Sequence, residues 1–235
     1  MAVQLHTFDP DGDLLLVLST PLKKTAPPPH PESYFDSTTT DILIFDVTDI
    51  NDVFSPGSPE TPQANQQIVH LLLSSKHMSL ASPVFKAMLG ENFKEGQYLR
   101  ANGKVEIPVD DDPAAFVILA NIVHGQLCEV PLKLDVDTLL GLVIVADKYQ
   151  VREVTEFFCQ TWFRELENDV PIDYSKPAYV MKWLAIAYVS RNAKTFKHLT
   201  HLIARSGDEK FEDEIQEGMP IPDSIIRKEL LFPKI

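Results

Sequence analysis

Three aspartates near the N-terminus have the alternating spacing of a calcium-binding loop. Asp9, Asp11 and Asp13 occupy every second position, and Gly12 lies inside the group. A calcium loop of the common kind needs its glycine elsewhere and a closing glutamate, and this stretch has neither. We therefore interpret the three aspartates as a polar turn that precedes a strand.

Histidine and cysteine are the other residue types with metal-binding chemistry. His198 and His201 are three residues apart on a predicted helix, so both could reach one ion, but the sequence offers no third ligand nearby. A solvated helix face explains this pair. Cys128 and Cys159 have no spacing typical of a disulfide framework, a zinc site or a redox pair. We predict neither a metal site nor a cofactor.

Acid–base catalysis would need carboxylates grouped in a pocket, and the run Asp110, Asp111 and Asp112 is the candidate. The run lies at a predicted helix start, where the helix dipole favours negative charge, and this explains it without a catalytic role. The sequence contains no serine-hydrolase, phosphate-loop or zinc-protease motif. An enzyme is therefore the less favoured class. A pocket with clustered carboxylates near 110–112 or His198 would reopen that case.

Composition and charge disfavour several kinds of partner. The 235 residues carry a formal net charge of −13, and 44% of them are hydrophobic. Because no basic stripe is present, we expect no binding to nucleic acid or to an anionic membrane. No apolar run reaches the roughly 18 residues that span a bilayer, and the N-terminus does not resemble a secretory signal. We expect a folded, reduced, intracellular protein of the nucleus, the cytoplasm or both.

Short apolar runs predict a small β-sheet. Residues 12–18 form a continuous apolar run after a turn former, which is typical of a strand covered on both faces. Strand patterns return at 68–73 and 104–107. Residues 19–66 form a long proline-rich insertion, in which a further apolar run occurs at 42–47. That run either completes the sheet of its own domain or offers a strand edge to a partner peptide.

The insertion also contains four Ser/Thr-Pro pairs in predicted loops. They begin at Thr20, Ser55, Ser58 and Thr61. Phosphorylation would add about −1.5 to −2 charges at each site and would switch a partner on or off. The alternative is an ordinary flexible loop.

Capping residues mark the starts of the predicted helices. Ser82 and Asp112 each precede a proline, which is favoured at the first helical position because its missing N–H costs nothing there. Asp135 or Asp137 caps the next helix, which is apolar nearly all round and is therefore expected in the middle of the core. Helices between 78 and 165 cover the sheet, so the predicted fold class is α+β.

The character of the chain changes after residue 166. The helix predicted over 151–166 is amphipathic, and we place Phe157 on its apolar face. The polar stretch that follows divides the chain into a domain at 1–166 and a helical C-terminal extension at 167–235. Within the extension, the sequence predicts helices at 179–189, 195–204 and 222–231, and an acidic, solvated stretch at 209–217.

One block of the sequence resembles the BTB/POZ family. Ser82, Pro83, Phe85, Ala87 and Met88 are similar to the Ser-Pro-x-Phe helix of that family. The other similar segments, in matching order, are 13–18, 71–74 and 105–108 for three core strands, Pro113 and Phe116 for the next helix, and 146–151 near the end of the domain. The resemblance covers roughly 12–18 and 67–165. The segment 177–235 resembles the helical extension of fungal BTB-only proteins.

The resemblance implies a protein-interaction module, an adaptor or scaffold that carries out no chemistry. Some family members bridge substrates to a cullin ubiquitin-ligase scaffold through a hydrophobic-x-Glu motif. Phe93, Lys94 and Glu95 occupy the matching place. Alternatively, Phe93 folds back onto the core. The other functions that remain open are transcriptional regulation, such as corepression, and structural self-assembly.

Two departures from the family pattern bear on oligomeric state. Ser74 stands where the family usually has a histidine, and Met78 replaces its usual leucine. Only about a dozen residues precede the first predicted strand, which leaves no room for the helix that many family dimers exchange. A swapped homodimer is therefore doubtful, and a monomer or a heteromer is the expectation.

Overall fold

A four-stranded sheet forms one layer of the molecule. The computed structural model describes residues 3–20, 67–206 and 219–222. The strands are β1 (Val3–Thr7), β2 (Leu14–Thr20), β3 (Gln67–Leu73) and β4 (Val105–Val109), in the spatial order β1-β3-β2-β4. The three predicted strands are confirmed as β2, β3 and β4. Strand β1, which precedes the first predicted strand, was not predicted from the sequence.

The sheet combines antiparallel and parallel pairs. β2 and β3 are antiparallel, with Leu14 opposite Leu73, whereas β1 is parallel to β3 and β4 is parallel to β2. Side chains alternate between the two faces of a strand. Leu14, Leu16 and Leu18 are completely buried on one face of β2, and the residues between them are only half-buried. The prediction of a strand buried on both faces therefore holds fully for one face.

Eight α-helices in the described residues form the rest of the fold, which confirms the α+β prediction. They are α1 (Ser75–Ala81), α2 (Pro83–Met88), α3 (Lys94–Asn102), α4 (Pro113–Val123), α5 (Val136–Lys148), α6 (Arg152–Glu165), α7 (Pro177–Val189) and α8 (Ala193–Ser206). Helix α1 begins at Ser75, three residues before the predicted start.

The predicted helix caps are present. Ser82 Oγ accepts a hydrogen bond from the Phe85 amide at 3.0 Å, and Asp112 Oδ1 accepts one from the amide of the residue three positions on at 2.9 Å. Asp135, rather than Asp137, caps α5. Asp137 instead forms an ion pair with Lys182 of α7 at 2.5 Å. Each cap satisfies an amide that the helix itself leaves without a partner.

The helices of the extension share the core of the sheet and helices that precede them. The buried residues of α7 belong to the same hydrophobic cluster as those of β2 and α5. Trp183 of α7 is fully buried and packs edge-on against Phe163 of α6, with ring centroids 5.5 Å apart. Helices α7 and α8 confirm the helices predicted at 179–189 and 195–204.

Several sequence predictions lie outside the described residues. These are the apolar run at 42–47, the phosphorylation sites Ser55, Ser58 and Thr61, the acidic stretch at 209–217, and nearly all of the helix predicted at 222–231. Residues 19 and 20, which were predicted as part of the insertion, are the end of β2, so Thr20 lies in a strand and not in a predicted loop.

Candidate protein-interaction surface

The turn between α2 and α3 presents the sequence Phe93-Lys94-Glu95. Phe93 is the N-cap residue of α3, with extended backbone angles, and its carbonyl accepts the Gln97 amide at 3.1 Å. The Gln97 side chain donates to the carbonyl of Glu91 at 3.0 Å. Arg100 forms an ion pair with Glu91 at 2.9 Å. These bonds tie the first half of the turn to the helix that follows it.

A glycine allows this turn to lie against the end of α2. A Cβ atom on Gly96 would come within 1.9 Å of the Gly90 carbonyl oxygen and 2.5 Å of the Leu89 carbonyl. Real side-chain atoms do not approach backbone this closely, so only glycine permits the observed packing. The backbone around the motif is therefore fixed by a buried contact at Gly96.

The aromatic side chain of the motif is accessible. Phe93 is 51% exposed, whereas Phe85, eight residues earlier, is completely buried. The alternative that Phe93 folds back fully onto the core is therefore not observed. Lys94 is exposed. Glu95 is half-buried in the first turn of α3, where the helix dipole stabilises its negative charge.

Two aspartates of the run at 110–112, Asp111 and Asp112, perform structural tasks. Asp112 caps α4, while the Asp111 side chain is nearly inaccessible and binds Lys148 Nζ at 2.8 Å and the Tyr149 hydroxyl at 2.7 Å. Burial and the neighbouring Asp111 carboxylate raise the pKa of Tyr149. Asp111 thus joins the start of α4 to the end of α5. The sequence suggested the cap but gave no signal for this second contact.

The aspartates at the N-terminal turn also bind protein groups. Asp9 Oδ1 accepts the Asp11 amide at 3.0 Å. Both carboxylate oxygens of Asp13 bind Ser75, one through its amide and one through its hydroxyl, at 2.7 Å each. Asp13 therefore connects the start of β2 to the first turn of α1, as expected for a polar turn.

The remaining candidate metal ligands and thiols are dispersed. His198 Nε2 lies 3.0 Å from the Pro171 carbonyl, and His201 is exposed. Among the described residues, no group of three or more His, Cys, Asp or Glu side chains could hold a metal ion. Cys128 is exposed, while burial raises the pKa of Cys159 to about 11.

A contact that sequence reasoning missed involves His124. The Ser74 amide donates to His124 Nε2 at 3.0 Å, and Nδ1 lies 2.9 Å from the Ala120 carbonyl. Because a carbonyl can only accept, Nδ1 carries the ring proton and His124 is neutral. Its ring also lies 5.1 Å from that of His77. No local pattern predicts this bond, since fifty residues separate the partners.

Apolar side chains are exposed at several other places. Phe157 of α6 is 72% exposed, so its predicted place on the apolar face of that helix was wrong. Its ring instead packs edge-on against Phe158, at 5.7 Å between centroids. Besides Phe93 and Phe157, the large exposed apolar residues in the part of the chain that the structure describes are Leu5, Leu80, Tyr98, Leu127, Leu132 and Ile172.

Comparison with known proteins gives no match. No protein-family model, no curated protein and no solved structure is similar to this chain. Membership of the BTB/POZ family therefore stays a hypothesis that rests on the motifs and their order. None of the helices in the described ranges is long and apolar enough to cross a membrane.

Proposed function

We propose that this chain is a BTB/POZ-type protein-interaction module that works as an adaptor or scaffold. Its support comes from the order of the motifs and from the topology that accompanies them. The hairpin of β2 and β3 is followed by α1, the Ser-Pro helix α2 and α3, after which β4 returns parallel to β2. Of the three aspartates considered for catalysis, Asp111 and Asp112 are engaged with protein groups.

The specific role that we propose is a substrate adaptor for a cullin-based ubiquitin ligase. The observation that supports it is the half-exposed Phe93, held beside Lys94 and Glu95 on a turn whose backbone is fixed at Gly96. Aromatic anchors on ordered backbone supply much of the energy of protein interfaces, because little entropy is lost when they bind. A neighbouring carboxylate adds electrostatic selectivity.

Sedimentation velocity of the purified chain, titrated with the N-terminal region of a cullin, tests this role. We expect a complex that Phe93→Ala weakens by about 2 kcal/mol or more, as truncation of a central aromatic anchor does. Glu95→Ala should also weaken the complex. Circular dichroism of each variant should match the original chain, since neither side chain is buried in the core.

Phe157→Ala is the matched control, because Phe157 is an exposed aromatic residue on another helix. It should leave the complex unchanged. Absence of a complex at roughly 50 μM, equivalent to a binding free energy weaker than about 6 kcal/mol, would exclude the ligase role. Equal losses from Phe157→Ala and Phe93→Ala would show that the proposed surface is not the contact.

Self-assembly is the second candidate function, and strand β1 favours it. β1 is at the edge of the sheet, and Leu5 on it is 60% exposed. An edge strand presents N–H and C=O groups that can pair with another chain. The same sedimentation experiment without cullin reports it, since self-assembly appears as mass that grows with concentration.

A further inference from the structure

A cleft lies between the C-terminal half of α6 and the turn that joins α7 to α8. Its volume is about 300 Å³, at the lower end of the range for small-molecule sites. Gln160, Phe163 and Arg164 form one side, and residues 190–193 form the other. The cleft is separate from the α2–α3 turn and from the aspartates at 110–112.

The cleft has positive charge on both sides, in a chain whose net charge is −13. Arg164 and Arg191 both line it, and both are exposed. Arg191 forms an ion pair with Glu156, but Glu156 Oε2 is 3.9 Å from Arg191 Nη1, so this ion pair is long. Glu156 also accepts a hydrogen bond from Gln160 at 3.2 Å. A bound anion would compete with this one carboxylate.

The N-terminus of α8 opens at the same place. Asn192 Oδ1 caps the Thr195 amide at 3.0 Å, and the Ala193 amide donates to the Arg191 carbonyl at 3.1 Å. The Lys194 amide, which lies between those of Ala193 and Thr195, donates no hydrogen bond within the described part of the chain. The amides of a first helical turn and the helix dipole both favour an anion.

A buried hydroxyl supplies independent evidence for a ligand. Ser190 lines the cleft and is only 5% exposed, and its Oγ has no hydrogen-bond partner in the described residues. Buried polar atoms in folded proteins are nearly always satisfied, and an exception calls for a missing partner. An oxyanion in the cleft would provide that partner.

We propose that this cleft binds a phosphate group, carried by a phosphorylated protein or free in solution. A phosphate monoester has three terminal oxygens, which together with the ester oxygen form a tetrahedron around phosphorus. Two guanidinium groups, the Ser190 hydroxyl and the first-turn amide of α8 can therefore donate to it from different directions. A planar carboxylate, with only two oxygens, fills this donor set less completely.

Amide NMR spectra of the whole chain test the site directly. The probes are inorganic phosphate and a phosphoserine-containing peptide, with the unphosphorylated peptide and acetate as comparisons. All titrations are run near pH 7.5, above the second pKa of about 6 of a phosphoserine, and at constant ionic strength. We expect saturable shifts at Ser190, Arg191 and Lys194 with both phosphate probes. Peptide binding at least tenfold tighter than that of phosphate would identify a phosphoprotein as the ligand, and equal affinities would identify the free ion.

Charge variants then separate the site from general electrostatics. Arg164→Gln and Arg191→Gln should each weaken phosphate binding about tenfold, which corresponds to about 1.4 kcal/mol. Arg205→Gln removes the same charge from the other end of α8 and should have no effect. Glu156→Gln removes the competing carboxylate and should tighten binding roughly twofold to fivefold.

Ser190→Ala tests the phosphate site in a variant that is expected to fold normally. The Ser190 hydroxyl has no partner among the described residues, so its removal should leave the unfolding midpoint unchanged or raise it. The same variant should weaken phosphate binding about tenfold. The proposal is overturned if the shifts do not saturate, if acetate reproduces them, or if folded Ser190→Ala and Arg191→Gln bind phosphate as the original chain does.

Discussion

At the scale of single residues, His124 makes the stability of the fold depend on pH. Burial lowers the pKa of His124 below its usual value of 6.5, and His77 lowers it further, while the hydrogen bond to Ala120 and the carboxylate of Asp9 act in the opposite direction. The neutral ring is the form that accepts the Ser74 amide. Protonation would remove this acceptor from the residue that precedes α1.

The sign of the effect follows from proton uptake. Below pH 6.5 the unfolded chain protonates His124 before the folded chain does, so the free energy of unfolding falls as the pH falls towards the lower folded value. Above pH 6.5 both states are neutral at this position, and the stabilisation is fully present. Urea unfolding at intervals between about pH 5 and 7.5 measures this slope.

A titration-free variant isolates the contribution of His124. His124→Gln replaces the ring nitrogen with an amide oxygen, which also accepts a hydrogen bond but cannot be protonated in this range. The free energy of unfolding of this variant should therefore change less between about pH 7.5 and 5. His201→Gln removes an exposed histidine and should keep the original slope. Equal slopes in all three proteins would assign the pH dependence to other groups.

At the scale of the elements, the sequence predicted contacts between residues that are close in the chain, but it did not predict contacts between distant segments. The caps by Ser82 and Asp112 could be predicted, and that of α5 could be narrowed to Asp135 or Asp137, because each bond joins residues three positions apart. Strand β1 could not, since it exists through parallel pairing with β3, more than sixty residues away. Apolar character alone also did not distinguish the exposed Phe157 from the buried residues of α6. The spacing of apolar residues indicates a helix, but it does not determine which of them face the core.

The candidate site shows the same division. The position of Phe93, Lys94 and Glu95 after the Ser-Pro helix could be read from the sequence, whereas the exposure of Phe93 depends on how α3 lies against α2. That arrangement depends on Gly96, whose role is visible only in the distance to Leu89 and Gly90. No signal in the sequence indicated the proposed phosphate-binding cleft, because its lining residues come from α6 and from the α7–α8 turn, which are distant in the sequence.

Gly96→Ala tests whether this contact orders the turn. Helix propensity alone predicts a gain of up to about 1 kcal/mol, since alanine is the better helix former. The clash with the Gly90 carbonyl predicts a net loss of about 2 kcal/mol or more, because backbone must move. Urea unfolding decides between the two signs. Ala101→Gly, at an exposed position of α3, measures propensity without a clash. A stabilised Gly96→Ala would contradict the close packing.

At the scale of the whole molecule, aromatic rings join the Ser-Pro helix to the helical layer. Phe85 of α2 stacks on Tyr149 at 4.8 Å and meets Phe116 of α4 edge-on at 6.4 Å. The Ser82 hydroxyl donates to the Tyr149 carbonyl at 2.6 Å, which holds the same elements together. From α5, the core continues through α7 of the extension.

Because the buried cluster is continuous, we expect the sheet and the extension to unfold together. Trp162 and Trp183 report on α6 and α7 by fluorescence, while far-ultraviolet circular dichroism reports on all helices and strands. Phe85→Ala should cost about 3–5 kcal/mol and should lower both midpoints equally, although Phe85 is not on α6 or α7. Phe157→Ala, at an exposed site, should move neither midpoint by more than about 0.5 kcal/mol. A fluorescence midpoint that stays fixed in Phe85→Ala would mean that α6 and α7 unfold independently of the elements that contain Phe85.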